Sequence, residues 1–301
     1  MHYYETKLYQ TVREWYFRYI GIPLAYRYNQ RYDILDSMQS IKYIIDNRCS
    51  VSRFGDGEFY VMMGLGNGFQ TPDPKLAARL MEVMSANDAP NHMIGIPLPL
   101  KDVSMLVDGW PRFFWEHYSC RYSNFLHKQI STGRTYLNTQ FSRFYNENWD
   151  KSKCPAHIAL IKKIWDNKDI VIVEGEKTRS GIGNDLYDNA RTIQRILGPA
   201  TNAFERYEEM LGAITQNASK DKLILMSYGM SATVLAYDLA KLGYWAIDLG
   251  HLDIEYEWFK IGATNQHQAI PNKFTNEAPE GHDVGECNDP LYLSQIICRI
   301  C

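Results

Sequence analysis

The spacing of hydrophobic and polar positions along the chain predicts helices that alternate with short strands. Apolar residues recur with helical spacing from Asp33, an acidic residue that can cap the helix, and again after Asp73 and Pro74. Short apolar runs are typical of buried strands, and they occupy residues 50–54, 92–97, 169–173, 222–226 and 244–249. Because such runs are apolar on both faces, they belong in a parallel sheet covered on both sides. We therefore expect an α/β, Rossmann-like fold with a mostly parallel sheet flanked by helices.

Three stretches of different composition divide the chain. Residues 1–32 are rich in aromatic and basic side chains and predict a helical extension, which could pack on its own domain or dock on a membrane or a partner. Residues 33–265 carry the helix and strand signals of the main domain. Residues 266–301 are polar and interrupted by proline and glycine, which indicates a loop or lid and a C-terminal tail. The spacing of Cys298 and Cys301 is one that redox, zinc or prenylation sites use. The other residues that such sites need are missing, which favours a frayed tail.

Composition and charge exclude several classes of protein. The 301 residues are 45% hydrophobic, so the chain can bury a sizeable core and is not a disordered protein. The formal net charge is −3, so no general positive field attracts nucleic acid, and local cations must bind any anionic ligand. The sequence lacks both a long uncharged apolar run and the layout of a signal peptide. We expect a cytoplasmic protein, and peripheral attachment to the inner face of the membrane stays open.

Polar side chains follow the predicted strands, where a parallel sheet binds its ligand. In open parallel sheets the ligand lies beyond the carboxyl ends of the strands. The loops after these strands carry the candidate site residues, which are Arg53, Gly55, Asp56, Gly57, Glu58, Lys177, Arg179, Asn184, Asp185, Gly229, His251 and Asp253. Because right-handed crossovers align the strand ends, we expect these residues at one edge of the sheet.

Asp56 and Glu58 are the sharpest candidates for metal binding. In an extended stretch, residues two apart point to the same side, so both carboxylates could face one divalent cation. Gly57 between them would let a large ligand approach the backbone. The same three residues would also make an ordinary solvated turn. His251 could be a metal ligand or an acid/base group, or it could cap a helix.

Lys177 and Arg179 are candidates for binding phosphate. Both precede a glycine-rich stretch, so cationic side chains and backbone N–H groups could together neutralise a diphosphate. A mobile charged loop explains the same residues equally well. Neither a Walker A sequence nor a Gly-x-Ser-x-Gly elbow occurs.

Four segments in fixed order resemble the GT-D-fold glycosyltransferases, a family long catalogued as a domain of unknown function. The segments are residues 53–58, 174–179 with 183–186, 232–239 and 250–258, and the resemblance extends over roughly residues 35–265. One departure is Gly229-Met230-Ser231, where the family pattern has Gly-Pro-Thr or a similar sequence. The resemblance implies a Rossmann-like fold distinct from other glycosyltransferase folds. It also implies transfer of a sugar, glucose in the best-known relatives, from a uridine diphosphate (UDP) sugar.

The resemblance also implies roles for the candidate residues. The family's Asp-x-Glu signature, associated with manganese and the nucleotide diphosphate, falls on Asp56 and Glu58. We expect Mn²⁺ or Mg²⁺ as cofactor, with His251 completing its ligand shell. Lys177 and Arg179 would neutralise the diphosphate, Asn184 and Asp185 would contact ribose or sugar hydroxyls, and Arg53, Gly55, Gly57 and Gly229 would line the donor site. Asp253 or Asp185 would act as the base for the acceptor hydroxyl if the reaction inverts configuration.

The sequence thus predicts a metal-dependent hexosyltransferase that acts in cell-surface polysaccharide or glycoprotein assembly. Its partners would be a UDP-sugar donor and a glycan acceptor, lipid-linked or on a protein, and the sequence leaves the oligomeric state open. Two alternatives come from other classes of protein. One is a non-catalytic subunit that binds carbohydrate or nucleotide sugars. The other is a different Rossmann-like enzyme, such as a methyltransferase or a sugar-nucleotide hydrolase.

Overall fold

Nine parallel strands form the sheet of the computed structural model, which describes residues 7–66, 68, 70–264, 268–275 and 277–300. In chain order they are β1 (Asp33–Ile34), β2 (Ser50–Arg53), β3 (His92–Ile96), β4 (Thr135–Asn138), β5 (Asp169–Gly175), β6 (Thr192–Gly198), β7 (Leu223–Ser227), β8 (Trp245–Asp248) and β9 (Ile296–Arg299). Their order across the sheet is β1-β4-β3-β2-β8-β7-β5-β6-β9, and every pair is parallel. The predicted α/β fold with a parallel sheet is confirmed.

Helices cover both faces of this sheet. They are α1 (Lys7–Tyr16), a π-helical turn (Phe17–Gly21), α2 (Ile22–Asn29), α3 (Ser37–Asn47), α4 (Asp56–Met62), α5 (Pro74–Ser85), α6 (Trp110–Arg121), α7 (Ser123–Gln129), α8 (Cys154–Ile161), α9 (Tyr207–Asn217), α10 (Ser231–Lys241), α11 (Leu252–Ile261) and α12 (Pro290–Gln295). No helix in the described ranges is long and apolar enough to cross a membrane.

Strand β5 shows why the apolar runs lie inside the molecule. Val171 and Val173 pack into one hydrophobic core, and Ile170 and Ile172 pack into the other, on the opposite face of the sheet. All four side chains are buried, as alternation along a strand covered on both sides requires. The strand signal in this part of the sequence therefore reflects burial on two faces.

The starts of two helices follow from capping chemistry. Asp73 accepts hydrogen bonds from the backbone N–H groups of the first turn of α5, and Pro74 occupies the first helical position, as expected. The expectation that α3 starts at Asp33 is wrong. Asp36 caps α3 in a capping box with Gln39, while Asp33 and Ile34 pair with β4. The better cap therefore lies three residues further along.

Four strands lie outside the runs that the sequence analysis selected. Strands β1 and β4 are short, and β6 carries the polar pair Gln194 and Arg195 in its middle, so none gives a continuous apolar run. Strand β9 lies in the segment interpreted as a frayed tail, and that interpretation is wrong, because Cys298 pairs with Ile196 at the edge of the sheet. Cys301 lies outside the described residues.

A buried ion pair explains the polar residues of β6. Arg195 Nη1 donates to Glu174 Oε1 at 2.7 Å, and both side chains are at most 1% exposed. Burial raises the pKa of Glu174, and the Arg195 guanidinium opposes this change. Ser180 N–H donates to the second oxygen of Glu174. The pair therefore fixes β5, β6 and the loop after β5 relative to one another.

Replacing Arg195 by methionine should destabilise the protein strongly. Arg195→Met leaves Glu174 buried without its cation, a type of change that typically costs about 3–5 kcal/mol. Urea denaturation of Arg195→Met should show this loss in the free energy of unfolding. Arg191 lies directly before β6 and forms an exposed ion pair with Asp169. Arg191→Met should therefore cause a much smaller loss in the free energy of unfolding. Equal losses for the two variants would contradict the role of the buried pair.

Candidate functional site

A cavity of about 460 Å³ opens at the carboxyl ends of the strands. The segments after β2, β4, β5, β6, β7 and β8 all contribute to its walls, as do α6 and the loop around Phe274. Of the candidate residues, the cavity brings together Arg53, Gly55, Asp56, Gly57, Glu58, Gly229, His251 and Asp253. The expected meeting of strand ends is therefore observed for these residues.

An ion pair between the ends of β2 and β8 lies at the centre of the cavity. Arg53 Nη1 is 3.7 Å from Asp248 Oδ1, and both side chains are largely buried. Thr233 Oγ1 donates to Asp248 Oδ2 and to the Arg53 carbonyl, so α10 holds both strand ends. Gly250 has φ +51°, and a Cβ at this position would collide with the Arg53 guanidinium. A glycine is therefore required for this approach.

Asp56 and Glu58 occupy the first turn of a helix, so the expectation of an extended stretch is wrong. Asp56 is the first residue of α4, and Glu58 Oε2 accepts the Gly55 N–H at 2.7 Å as the acidic half of a capping box. Residues two apart on a helix lie on different faces. The two carboxylates therefore do not converge as an i, i+2 pair on a strand would.

Arg143 is a functional candidate that the sequence analysis missed. It lies in the segment after β4 and lines the cavity with Glu147 and Glu277. Its guanidinium nitrogens are 3.2 Å from Glu277, 3.5 Å from Glu147 and 3.9 Å from Glu255. The acidic residues come from three separate segments, so no local sequence pattern could reveal this cluster. A strand assignment for residues 135–138 would have placed Arg143 just after a strand end.

Glu255 connects this cluster to the backbone. Its Oε2 accepts the N–H groups of Tyr145 and Asn146, each at 2.8 Å, and the side chain is fully buried. Burial raises the pKa of Glu255 to about 7, although Arg143 opposes the change. The carboxylate thus ties α11 to the loop that carries Arg143.

Three carboxylates of the cavity, those of Asp56, Glu58 and Asp248, have raised pKa values, whereas His251 and Arg143 help to lower the pKa of Glu277. Burial raises the pKa of Asp56, and it raises the pKa of Asp248 against the effect of Arg53. Burial and the nearby Asp248 raise the pKa of Glu58 to about 7. Perturbed pKa values that cluster in one cleft are typical of functional sites. Added positive charge would favour the ionised forms of all three groups.

His251 lies at the mouth of the Arg143 cluster. Its Nδ1 is 3.9 Å from Glu277 Oε2, and it is the residue that precedes α11. Glu277 favours the imidazolium, but burial and the cations Arg143 and Arg53 leave the pKa of His251 lowered. The neutral ring is the form that can accept a proton or bind a metal ion.

Asp253 is committed to structural contacts although it borders the cavity. Its Oδ1 accepts from Gly181 N–H and Asn184 Nδ2, and its Oδ2 accepts from Lys273 Nζ at 2.7 Å. Asn184 also donates to Glu257 and does not line the cavity. Both residues therefore hold the loop after β5 against α11, which does not suit Asp253 as a base.

Three candidates lie away from the cavity. Asp185 contacts Tyr256, Lys162 and Lys260 on the surface. The guanidinium of Arg179 donates to the carbonyls of Asn272 and Gly285, so it holds the C-terminal loop. The backbone carbonyl of Lys177 accepts a hydrogen bond from the Phe274 N–H. None of the three side chains lines the cavity. Of the described cavity residues, Arg53 and Arg143 supply the permanent cations.

One wall of the cavity is aromatic. Helix α6 contributes Trp110, Phe114 and Trp115, and Tyr60 of α4 lies nearby. Trp110 is 62% exposed and stacks on Phe113. Flat apolar rings are suitable surfaces for sugar or base rings. The cavity therefore combines a charged floor with an apolar side.

The donor groups fit a divalent cation that shares its ligands with a substrate. Carboxylate oxygens are the ligands that Mg²⁺ and Mn²⁺ prefer. Within the described residues, no group of three or more His, Cys, Asp or Glu side chains is placed to enclose a metal ion. An ion bound through one or two carboxylates, water and phosphate oxygens suits such a site.

Comparisons with known proteins agree with this fold. Residues 51–278 match the family model described as "Glycosyltransferase GT-D fold". Two solved structures superpose with TM-scores of 0.87 and 0.83, at 36% and 34% identity, covering 93% and 90% of this chain and all of theirs. The first is described as a highly conserved domain of unknown function with a distinct glycosyltransferase fold, and the second as a new glycosyltransferase from Streptococcus sanguinis. The chain has an α/β glycosyltransferase fold.

Two longer streptococcal proteins are also similar to this chain. A probable glycosyl transferase Gly of Streptococcus gordonii is 36% identical over 279 residues, which are 93% of this chain and 40% of that protein. Glycosyltransferase GlyD of Streptococcus pneumoniae serotype 4 is 35% identical over 87% of this chain and 32% of its own length. The chain therefore spans well under half of these relatives. Together with the structural matches, these similarities show that the chain belongs to the GT-D-fold glycosyltransferase family.

Removing the buried acid Glu255 should flatten the dependence of stability on pH. The pKa of Glu255 is about 7 in the folded protein against 4.5 as the ordinary value, so the folded state holds a proton that the unfolded state has lost. The free energy of unfolding should therefore fall as the pH rises from about 4.5 to 7, by on the order of 3 kcal/mol for this group alone. Glu255→Gln, measured by urea denaturation across this range, should show a shallower fall than the wild type. Glu209→Gln on exposed α9 should keep the wild-type slope, and an unchanged slope in Glu255→Gln would contradict the assignment.

Proposed function

We propose that the protein transfers a hexose from a UDP-sugar to a glycan acceptor in a metal-dependent reaction. The observation that carries the proposal is the charged floor of the cavity, where buried carboxylates and two arginines lie beyond the strands of a GT-D-fold chain. Departure of UDP develops negative charge, and preorganised cations stabilise it effectively. The similarity to Gly and GlyD supports transfer of a glycosyl group.

Asp56 would hold Mn²⁺ or Mg²⁺ together with phosphate oxygens of the donor, and Glu58, which lies on a different face of α4, would orient the ion through bridging water. Asp56 faces the cavity from the N-terminus of α4, and Glu58 keeps Oε1 for a ligand while Oε2 caps the helix. When bound, the ion supplies positive charge that stabilises the departing diphosphate. Arg53 and Arg143 take the role that the sequence analysis gave to Lys177 and Arg179.

The loops after β6 and β7 suit the nucleotide. Residues 199–203 and 227–230 line the cavity there, and Gly229 has φ +53°, which exposes backbone groups to a ligand. The aromatic wall belongs to α6, which follows β3 in the chain. In the order of the strands across the sheet, β2 and β8 separate β3 from β7 and β6, so this wall lies across the cavity from the two loops. We place the donor over β6, β7 and β8 and the acceptor towards α6. The proposed setting is assembly of a cell-surface polysaccharide or glycoprotein in the cytoplasm.

Replacing Asp56 should abolish turnover without unfolding the protein. Asp56→Asn keeps the size of the side chain but removes the charge that binds the cation, so Mn²⁺-dependent release of UDP from UDP-glucose, or from the UDP-hexose that the wild type uses, should fall by about 100-fold or more. Asp88→Asn, on the surface at the other end of the strands, is the matched control and should keep wild-type turnover. Circular dichroism would verify folding.

Adding acceptors separates transfer from the alternatives. UDP release that a glycan acceptor stimulates identifies a transferase, whereas release that no acceptor changes identifies a sugar-nucleotide hydrolase. Binding of UDP without any release favours a non-catalytic subunit. Wild-type turnover in Asp56→Asn would refute the role of Asp56.

A further inference from the structure

The N-terminal helical segment has two apolar faces, and only one of them packs on the protein. On the inner face, Gly21 lies against Cys120 of α6, Ala25 is buried, and Asn29 donates to the Leu100 carbonyl. Phe17 contacts the ring of His117. These contacts anchor the π-helical turn and α2, so they account for the helical conformation of the segment.

The outer face carries large apolar side chains that remain exposed. Six residues define it, and we call them the N-terminal amphipathic surface: Leu8, Val12, Trp15, Tyr16, Tyr19 and Leu24. Leu8 is 74% exposed and Tyr19 is 60% exposed, and α1 buries none of its residues against the part of the chain that the structure describes. Leu8, Val12, Trp15 and Tyr19 follow one another at intervals of four, three and four residues, which places them on one side of a helix. Exposed apolar patches of this kind mark interaction surfaces.

The charge around this surface identifies its partner. Residues 7–32 contain five cations (Lys7, Arg13, Arg18, Arg27 and Arg31) and one acid (Glu14), a formal charge of 5 − 1 = +4 in a chain whose net charge is −3. Arginine and lysine beside tryptophan, tyrosine and leucine on one helix are typical of segments that lie in the interface of an anionic bilayer. A second copy of the chain would bring cations against cations.

Aromatic rings link the N-terminal segment to the mouth of the cavity. His117 of α6 contacts both Phe17 and Phe113, and Phe113 stacks on Trp110 of the cavity wall. Phe113 and Trp110 are both exposed. An aromatic strip therefore joins the inner face of the N-terminal segment to the cavity opening.

We propose that the N-terminal amphipathic surface docks the protein on an anionic phospholipid bilayer, with α1 in the plane of the interface. The apolar face enters the boundary between headgroups and acyl chains, and the arginines contact the lipid phosphates. Docking in this way would bring the cavity mouth close to the bilayer. If the proposed function holds, the favoured acceptor is lipid-linked, although docking itself does not depend on the reaction.

Vesicle sedimentation of the whole protein tests the proposal. The wild type should sediment with vesicles of phosphatidylcholine and phosphatidylglycerol and bind pure phosphatidylcholine at least about tenfold more weakly, and salt should weaken the binding. Two double variants, Trp15→Ser with Tyr19→Ser and Arg13→Gln with Arg18→Gln, should each lose at least about tenfold in affinity for the anionic vesicles.

The matched control lies at the opposite edge of the sheet. Leu291→Ser with Leu293→Ser changes two exposed leucines of α12, beside β9, and should bind as the wild type does. Absence of wild-type binding to the anionic vesicles, or undiminished binding by the Trp15/Tyr19 variant, would overturn the proposal. Self-association without vesicles that only the Trp15/Tyr19 variant loses would assign the surface to a second copy and would also overturn it.

Discussion

The ion pair between Arg53 and Asp248 joins the carboxyl ends of the two central strands, and the cavity is arranged around it. Both partners are largely buried, so removing either one would leave an uncompensated buried charge. Thr233 and the backbone of Gly250 complete the hydrogen bonds of Asp248. Because β2 and β8 each begin a wall of the cavity, this pair fixes the distance between the segment that carries Asp56 and the segment that carries His251.

The balance of charge in the cavity suggests how a ligand would be selected. Asp56, Glu58, Glu147, Asp248 and Glu277 supply acidic groups to the lining, whereas Arg53 and Arg143 are its permanent cations among the described residues. A diphosphate alone would meet more negative than positive charge if all the acids were ionised. In the proposed reaction a divalent cation would remove this conflict, since it would pair with the acids and the phosphates together. Acids of this kind are expected to have raised pKa values when no cation is bound beside them, and the pKa values of Asp56 and Glu58 are raised.

The sequence could predict the strands and helix caps that depend on burial and on residues adjacent in the chain. The buried runs of β5, β7 and β8 and the cap of α5 carry their signals in adjacent residues, and the parallel sheet followed from them. The contacts of Arg143 and the commitment of Asp253 to Lys273 depend on segments far apart in the chain. Strand β6 was missed because Glu174 satisfies Arg195 from a neighbouring strand. Asp56 and Glu58 lie at the edge of the sheet where the sequence analysis expected them, but their backbone was predicted wrongly, since the start of α4 at Asp56 was not considered.

Most substitutions at a charged site change both the position and the charge of a group, but a substitution of Gly250 would change position alone. A methyl group at this position would meet the Arg53 guanidinium, and the positive φ would add strain of its own. The formal charge of every group in the cavity would stay the same. Substitution by alanine would therefore displace the Arg53 side chain by steric contact while every charge in the cavity stays the same. Gly250 is thus a steric constraint on how the two halves of the sheet come together.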